Sequence, residues 1–272
     1  MWDIYPAKQC LGGAPLNFAA HFSILGGAAY ILSAIGSDKF KDETLSQIKE
    51  WGIRDKYLAI SNIYPTGVCN VTLNENAIPT YDLKQNVAYD YISYENVIDD
   101  FDVLYFGSMS LRSDFNRKSI SKLLESKKFK EIFVDINIRA PFYSNETVKF
   151  CLNNATILKI SDEELSIVNS CISITESDIE KNVKMIFKRF SQLKLIIITK
   201  GLNGSICYNT VEGKIYSCDA EKTEVVSTVG AGDSFSAAFL FKYLNGEKIN
   251  TCLEFASNLS AYVCSKIEAV PK

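Results

Sequence analysis

Short apolar runs alternate with longer amphipathic stretches along most of the chain, the pattern of strand–helix units built around a parallel sheet. Strands are predicted at residues 28–35, 103–106, 132–135, 156–160 and 195–199, and helices at 39–51, 115–126, 146–153 and 178–190. Leu195-Ile196-Ile197-Ile198 has the unbroken aliphatic character of a strand buried on both faces. Residues 67–83 break the rhythm. Val68-Cys69-Asn70-Val71-Thr72-Leu73, a polar Asn74-Glu75-Asn76 turn and Pro79-Thr80-Tyr81-Asp82-Leu83 predict an antiparallel hairpin inserted between strand–helix units. Such an insertion reads either as a lid or as an edge extension of the sheet.

The 272 residues are 47% hydrophobic and 22% charged, the make-up of a globular chain with a large core. Twenty-nine Lys and Arg against 32 Asp and Glu give a net charge of −3. The densest basic run, Lys127, Lys128 and Lys130, reads as a solvated helix end, so no nucleic-acid partner is expected. Eight cysteines lie scattered with no CxxC pair, and His21 is the single histidine. They read as reduced thiols rather than metal ligands or disulfides. No signal-peptide pattern opens the sequence and no apolar run is long enough to span a membrane, so a cytoplasmic location is expected.

The most informative segment is Val225-Val226-Ser227-Thr228-Val229-Gly230-Ala231-Gly232-Asp233-Ser234-Phe235. A strand-like end runs into a glycine turn and then a helix with Phe235, Phe239 and Tyr243 on one face, closed by Asn245-Gly246. Gly230 and Gly232 let successive N–H groups face outward, and the helix dipole adds positive potential there, which suits an anion such as phosphate. A carboxylate at Asp233 would stay ionised in that first turn and could accept a proton from an attacking hydroxyl. An ordinary helix start, where the dipole alone favours Asp, is the other reading.

A second glycine turn lies near the start of the chain. In Gly12-Gly13-Ala14-Pro15-Leu16-Asn17-Phe18, Pro15 suits a first helical position, and Phe18, Phe22 and Leu25 form a buried stripe before Gly26. Asn17 offers both a donor and an acceptor to hydroxyls, or it serves as a local cap. His21, near the apolar face of the same helix, reads as packed or capping rather than as a catalytic base.

These two motifs, in this order, resemble those of the PfkB (ribokinase-like) carbohydrate kinases, and among them the bacterial fructokinases. The resemblance runs through Trp2-Asp3, Ala34-Ile35-Gly36-Ser37-Asp38, Pro65-Thr66-Gly67 and Val87-Ala88-Tyr89-Asp90-Tyr91-Ile92. It continues through Asp135-Ile136-Asn137-Ile138-Arg139, Lys159-Ile160-Ser161-Asp162-Glu163-Glu164 and Thr199-Lys200-Gly201. It implies an α/β, three-layer ribokinase-like fold, with a mostly parallel central sheet, helices on both faces and a small β lid. The chain is then a single domain over 1–272, with the lid formed by about 57–97 and part of 4–11.

The implied activity is ATP-dependent transfer of a phosphoryl group to a hydroxymethyl group of a small sugar, fructose above others. By position, Asp233 matches the family's catalytic base, and Gly230, Ala231 and Gly232 match its anion hole. Asp3, Gly13 and Asn17 match sugar-binding positions, and Asn137 and Arg139 match polar residues facing the cleft. Thr199, Lys200 and Gly201 match a turn beside the ATP phosphates, and Asn258 on the final helix matches a position near the adenine. Glu164 matches the glutamate of an N-x-x-E element that organises Mg²⁺ through water. Pairing of lids into a homodimer follows by the same analogy.

Several positions depart from the family pattern. Ser161 stands where the N-x-x-E element has Asn. Ser227 replaces an aspartate and Glu268 a glycine near the family's monovalent-cation site, which weakens the expectation of potassium activation. Relatives carry a further strand and a Gly-Glu pair ahead of the position of Trp2-Asp3, and a form with that strand is expected to be more stable. The competing readings are a 2-keto-3-deoxygluconate, ribose or nucleoside kinase, or a sugar-binding homologue with weakened turnover. A dinucleotide-binding protein is disfavoured because no G-x-G-x-x-G follows an early strand.

Overall fold

The computed structural model describes residues 1–5, 8–73 and 79–271. The expected Asn74-Glu75-Asn76 turn and part of the 4–11 segment lie outside the described residues. The chain divides into two compact units, one of Met1–Ile98 with Ser113–Ser126, the other of Asp99–Arg112 with Lys127–Lys272.

In the first unit, β1 (Trp2–Ile4), β2 (Gln9–Leu11), β5 (Val68–Leu73) and β6 (Pro79–Leu83) form a four-stranded sheet in the order β2-β1-β5-β6. The predicted hairpin is its β5–β6 pair, antiparallel with Cys69 opposite Leu83. Helices α1 (Ala14–Ile24), α2 (Lys41–Glu50) and α3 (Asp114–Ser126) belong to the same unit. So does a separate parallel pair, β3 (Ser33–Gly36) with β4 (Leu58–Ser61). The strand expected over 28–35 is therefore realised only at its end. Tyr30 makes an isolated bridge to Arg54, and the Ile31 amide donates to the Arg54 carbonyl, so this stretch has single contacts instead of a ladder.

Trp2 anchors β1. Its indole N–H donates to Thr44 Oγ1 at 3.0 Å, its ring stacks on Phe40 at 5.2 Å, and only 2% of the residue is exposed. Asp38 then locks the following motif. Its carboxylate accepts from the Thr66 amide, the Thr66 hydroxyl and the Phe40 amide. Burial opposes its charge, but these donors hold the carboxyl below the ordinary aspartate value. Because the folded value is depressed, the contribution is present above the unfolded value and is lost as pH falls through the folded one.

The second unit carries a six-stranded sheet, β12-β11-β10-β9-β8-β7. Its strands are β7 (Val103–Phe106), β8 (Glu131–Asp135), β9 (Ile157–Ser161), β10 (Leu195–Thr199), β11 (Ser205–Asn209) and β12 (Lys214–Cys218). The first four run parallel, and β11 and β12 add an antiparallel edge. Ile157, Leu158, Ile160, Ile196, Ile197 and Ile198 are 0% exposed, as expected for parallel strands covered on both sides. Around the sheet lie α4 (Asn145–Asn154), α5 (Asp162–Ile172), α6 (Ile179–Arg189), α7 (Ala231–Leu244) and α8 (Ile249–Cys264). No helix among the described residues is long and apolar enough to cross a membrane.

One buried side chain stitches α3 to the first unit. Asn116, 0% exposed, donates to the Tyr89 carbonyl at 2.8 Å and accepts from the Ile92 amide at 2.8 Å. Asn116→Leu should strand both backbone groups at about 1–3 kcal/mol each, read as a lower urea midpoint. An unchanged midpoint would show that another group takes over the pairing.

Candidate active site

The carboxyl ends of β8, β9 and β10 lie side by side in register. Asp135 is paired with Lys159, and Thr199 with Ser161. Open α/β sheets place ligands at this edge. Lys159 and Asp135 form a buried ion pair there, Nζ to Oδ2 at 2.9 Å, with side chains only 7% and 3% exposed. The same Oδ2 accepts from the Ser236 hydroxyl at 2.9 Å, which brings α7 to the sheet, and from the Tyr105 hydroxyl of β7 at 3.4 Å. Burial opposes the Lys159 charge, but Asp135, then Glu164 and Asp233, outweigh it and raise the ammonium above its ordinary value. Burial, followed by the Asp135 and Asp233 charges, pushes the Tyr105 hydroxyl well above its own and keeps it neutral.

The first turn of α7 meets this cluster. Gly230 precedes the helix with φ 82°, a left-handed conformation that side chains disfavour. A Cβ there would also sit 2.7 Å from the Ala269 carbonyl, so sequence and packing both demand glycine. A Cβ on Gly232 would sit 3.3 Å from Lys159 Nζ. The Ala231 amide donates to Thr228 O, and the Ser234 amide to Gly230 O. First-turn N–H groups have no i−4 acceptor in a helix, so this turn aims positive backbone dipole outward. Asp233 is 8% exposed and lies within electrostatic reach of Lys159 and Tyr105.

Glu164 is fixed by two backbone donors, the Ser161 amide at 2.9 Å and the Ile138 amide at 2.6 Å. Ser161 returns the bond by accepting from the Glu164 amide, a reciprocal capping box that starts α5 directly off β9. Asn137, just before Ile138, holds a left-handed φ of 42°. Thr199 ends β10, Lys200 donates through its amide to Gly204 O, and a Cβ added at Gly201 would meet open space. Arg139 and Asn258 are exposed, and Asn258 lies on α8.

The other predicted residues belong to the first unit. Asp3 on β1 and Asn17 on α1 converge on Gly12, where a Cβ would lie 3.2 Å from Asp3 Oδ2 and 3.8 Å from Asn17 Oδ1. Gly13 starts α1 with φ 109°, and its carbonyl accepts from the Leu16 and Asn17 amides. Burial raises the Asp3 carboxyl, against the positive charge of the chain's amino end. His21 is buried in α1.

The predicted residues thus form two groups. Asp3, Gly13 and Asn17 gather around Gly12 in the first unit; Gly230 to Asp233 gather with Glu164 and Thr199 along the sheet edge of the second. The sequence placed Asp135 and Lys159 in segments that carry the family resemblance but gave them no role, and it passed over Tyr105 and Ser236. The available signal was one lysine inside the otherwise aliphatic run Ile157-Leu158-Lys159-Ile160.

A family model described as pfkB family carbohydrate kinase matches residues 7–271. The chain is 27% identical to probable fructokinase-5 of Arabidopsis thaliana over 280 residues, covering 96% of this chain and 84% of that protein. It is 26% identical to 5-dehydro-2-deoxygluconokinase of Listeria innocua, covering 95% and 82%. Among solved structures, a fructokinase of Vibrio cholerae, in its fructose-, ADP- and calcium-bound form, superposes with a TM-score of 0.84 at 20% identity, covering 99% and 91%. The fold is the ribokinase-like one that the sequence resemblance implied.

The geometry at Gly230 makes a direct test. Gly230→Ala adds left-handed strain of about 1–2 kcal/mol and overpacking against Ala269 of about 1–3 kcal/mol. A lower denaturation midpoint is expected. A wild-type midpoint would mean that the turn can take another conformation.

Proposed function

The chain belongs to the pfkB family of carbohydrate kinases, and from that membership we propose that it phosphorylates fructose with ATP, Asp233 serving as the base. The observation that carries the reading is the placement of Asp233 in the first turn of α7, beside Gly232 and at the carboxyl edge of the sheet. A helix N-terminus favours a phosphate, and a carboxylate one position further on favours removal of a proton. Asp233 takes the proton of the attacking hydroxyl, whose oxygen bonds to the γ-phosphorus as the bond to the ADP oxygen breaks. The backbone dipoles of Gly230 to Gly232 stabilise the charge moving onto that oxygen.

Thr199, Lys200 and Gly201 would flank the phosphates, the open space at Gly201 leaving room for them. Val226 and Ser227, whose amides donate to Cys264 O at the end of α8, bring an exposed apolar stretch to the helix that bears Asn258, a surface suited to a nucleobase. Mg²⁺ fits Glu164 only through water. Both of its carboxylate oxygens already accept amides, and no group of three or more Asp, Glu, Cys or His side chains is placed to hold a metal ion among the described residues. Kinase Mg²⁺ characteristically keeps several waters and leans on substrate phosphates, where it offsets their charge.

Fructose is favoured as acceptor by the named activities of the Arabidopsis and Vibrio proteins. Asp3 and Asn17, converging on Gly12, are suited to its hydroxyls, and the β2-β1-β5-β6 sheet that carries Asp3 would act as the lid that excludes water from them. The relative that acts on 5-dehydro-2-deoxygluconate sets the first competitor for a sugar panel, alongside ribose and 2-keto-3-deoxygluconate. ADP release above background with fructose supports the assignment; turnover of another panel sugar alone moves it to that sugar.

Two mutations test the roles. Asp233→Asn should lower kcat by about two to four orders of magnitude with the ATP affinity nearly unchanged, and near-wild-type turnover would sink the base assignment. Asp3→Ala and Asn17→Ala should each raise the sugar KM or lower kcat/KM by roughly five- to 150-fold while sparing the ATP KM. A shifted ATP KM would mean that the Gly12 cluster serves the nucleotide instead.

A further inference from the structure

A lysine is a costly residue to place in the middle of a parallel strand. Lys159 is flanked by Leu158 and Ile160, each 0% exposed, and is itself 5% exposed. Its backbone is ordinary for β9, and its carbonyl accepts from the Ile136 amide. The side chain ends at Asp135 Oδ2, which also receives the Ser236 hydroxyl. Replacing such a pair by apolar groups is often neutral or stabilising, so stability alone is a weak reason for it. What distinguishes this pair is its position. Lys159 Nζ lies 3.3 Å from where a Cβ on Gly232 would stand, and Ser236 joins the same pair to α7 one turn beyond Asp233, its one hydroxyl proton within reach of both Asp135 Oδ2 and Gly232 O.

We propose that Lys159, braced by Asp135, is a positioning residue that seats the first turn of α7 and holds Asp233 as a carboxylate. The inference rests on the reading of Asp233 as the base. The charged and titratable groups around the pair are Asp135 on β8, Tyr105 on β7, Glu164 on α5 and Asp233 on α7, with the Ser236 hydroxyl. Asp135, Glu164 and Asp233 are three acidic side chains, and Lys159 is a cation within electrostatic reach of all three. Tyr105, kept neutral, supplies a hydroxyl and no charge. Removing the ammonium takes away a positive charge that favours the Asp233 carboxylate, so its protonated form gains. The acid limb of kcat/KM against pH then moves up; removing the Asp135 carboxylate, which leaves the lysine unneutralised, moves it down.

The test is the pH profile of kcat/KM, with ATP, Mg²⁺ and fructose or whichever panel sugar the wild type turns over. Lys159→Met should raise the acid limb by roughly 1 pH unit and lower kcat more than it changes either KM. Asp135→Asn should move the limb the opposite way. Where a single variant leaves a buried charge and fails to fold, the Lys159→Met/Asp135→Asn double variant removes both charges together. In it the seat of the turn is gone, and kcat should fall by about tenfold or more with both KM values nearly unchanged. Wild-type kcat and limb position in a folded double variant, or a Lys159→Met limb that stays put, would overturn the proposal. The two readings fail separately. Turnover by Asp233→Asn removes the base itself, whereas an inactive Asp233→Asn beside unmoved limbs in the Lys159 variants removes only the positioning role.

Discussion

The ion pair between Lys159 and Asp135 crosses adjacent parallel strands in register and is almost closed to water. Two charges taken out of water cost several kcal/mol each, and their attraction offsets this only when further hydrogen bonds complete the site. Ser236 and Tyr105 complete it on the aspartate. One carboxylate therefore gathers a donor from each of β7, β9 and α7, and the carboxyl edge of the sheet acquires a fixed relation to the start of that helix. Because the Lys159 value is raised on folding, the lysine's contribution is fully present below its unfolded value and is lost as pH rises through the folded one.

The turn that meets the pair is constrained from two sides. A Cβ on Gly230 would sit 2.7 Å from the Ala269 carbonyl, and one on Gly232 would sit 3.3 Å from Lys159 Nζ. A phosphate site made of backbone dipoles works to the extent that those dipoles are already oriented when the ligand arrives. Here the space beside Gly230 is limited by packing and that beside Gly232 by a charged group.

What the sequence revealed follows from how local each signal is. The cores of β7 to β10 are legible because strands buried on both faces need unbroken aliphatic runs, and their boundaries fall within a residue or so of expectation. Residues 28–35 carry the same composition but pair only at Ser33–Gly36, since composition cannot say where a neighbouring strand is present. The antiparallel edge escapes because β11 buries polar Ser205 and Asn209 while β12 is largely exposed, so neither shows an unbroken aliphatic run. Glycine turns are visible as motifs because their backbone requirement is written in the residue type. Lys159 opens a segment of the family resemblance, but that segment does not name its partner. Its partner is 24 residues away in sequence, and only the register of β8 against β9 brings the two together.

The departure at Ser161 bears on whether the site can work. An Asn at that position could start α5 by accepting the Glu164 amide, and serine does the same with comparable strength. The reciprocal bond from Ser161 N to Glu164 and the bond from Ile138 N to the same carboxylate are both in place. The substitution therefore leaves Glu164 oriented as a helix cap would hold it. Ser227 and Glu268 differ in kind. Ser227 closes a local turn by accepting the Val229 amide, and Glu268 is exposed beside the Ala269 that packs on Gly230. Neither touches the ion pair or the capping box, so these substitutions leave the geometry at the carboxyl edge standing. At the Gly12 cluster, Asp3 and Asn17 approach one backbone position closely enough that a single added methyl group would crowd a carboxylate oxygen.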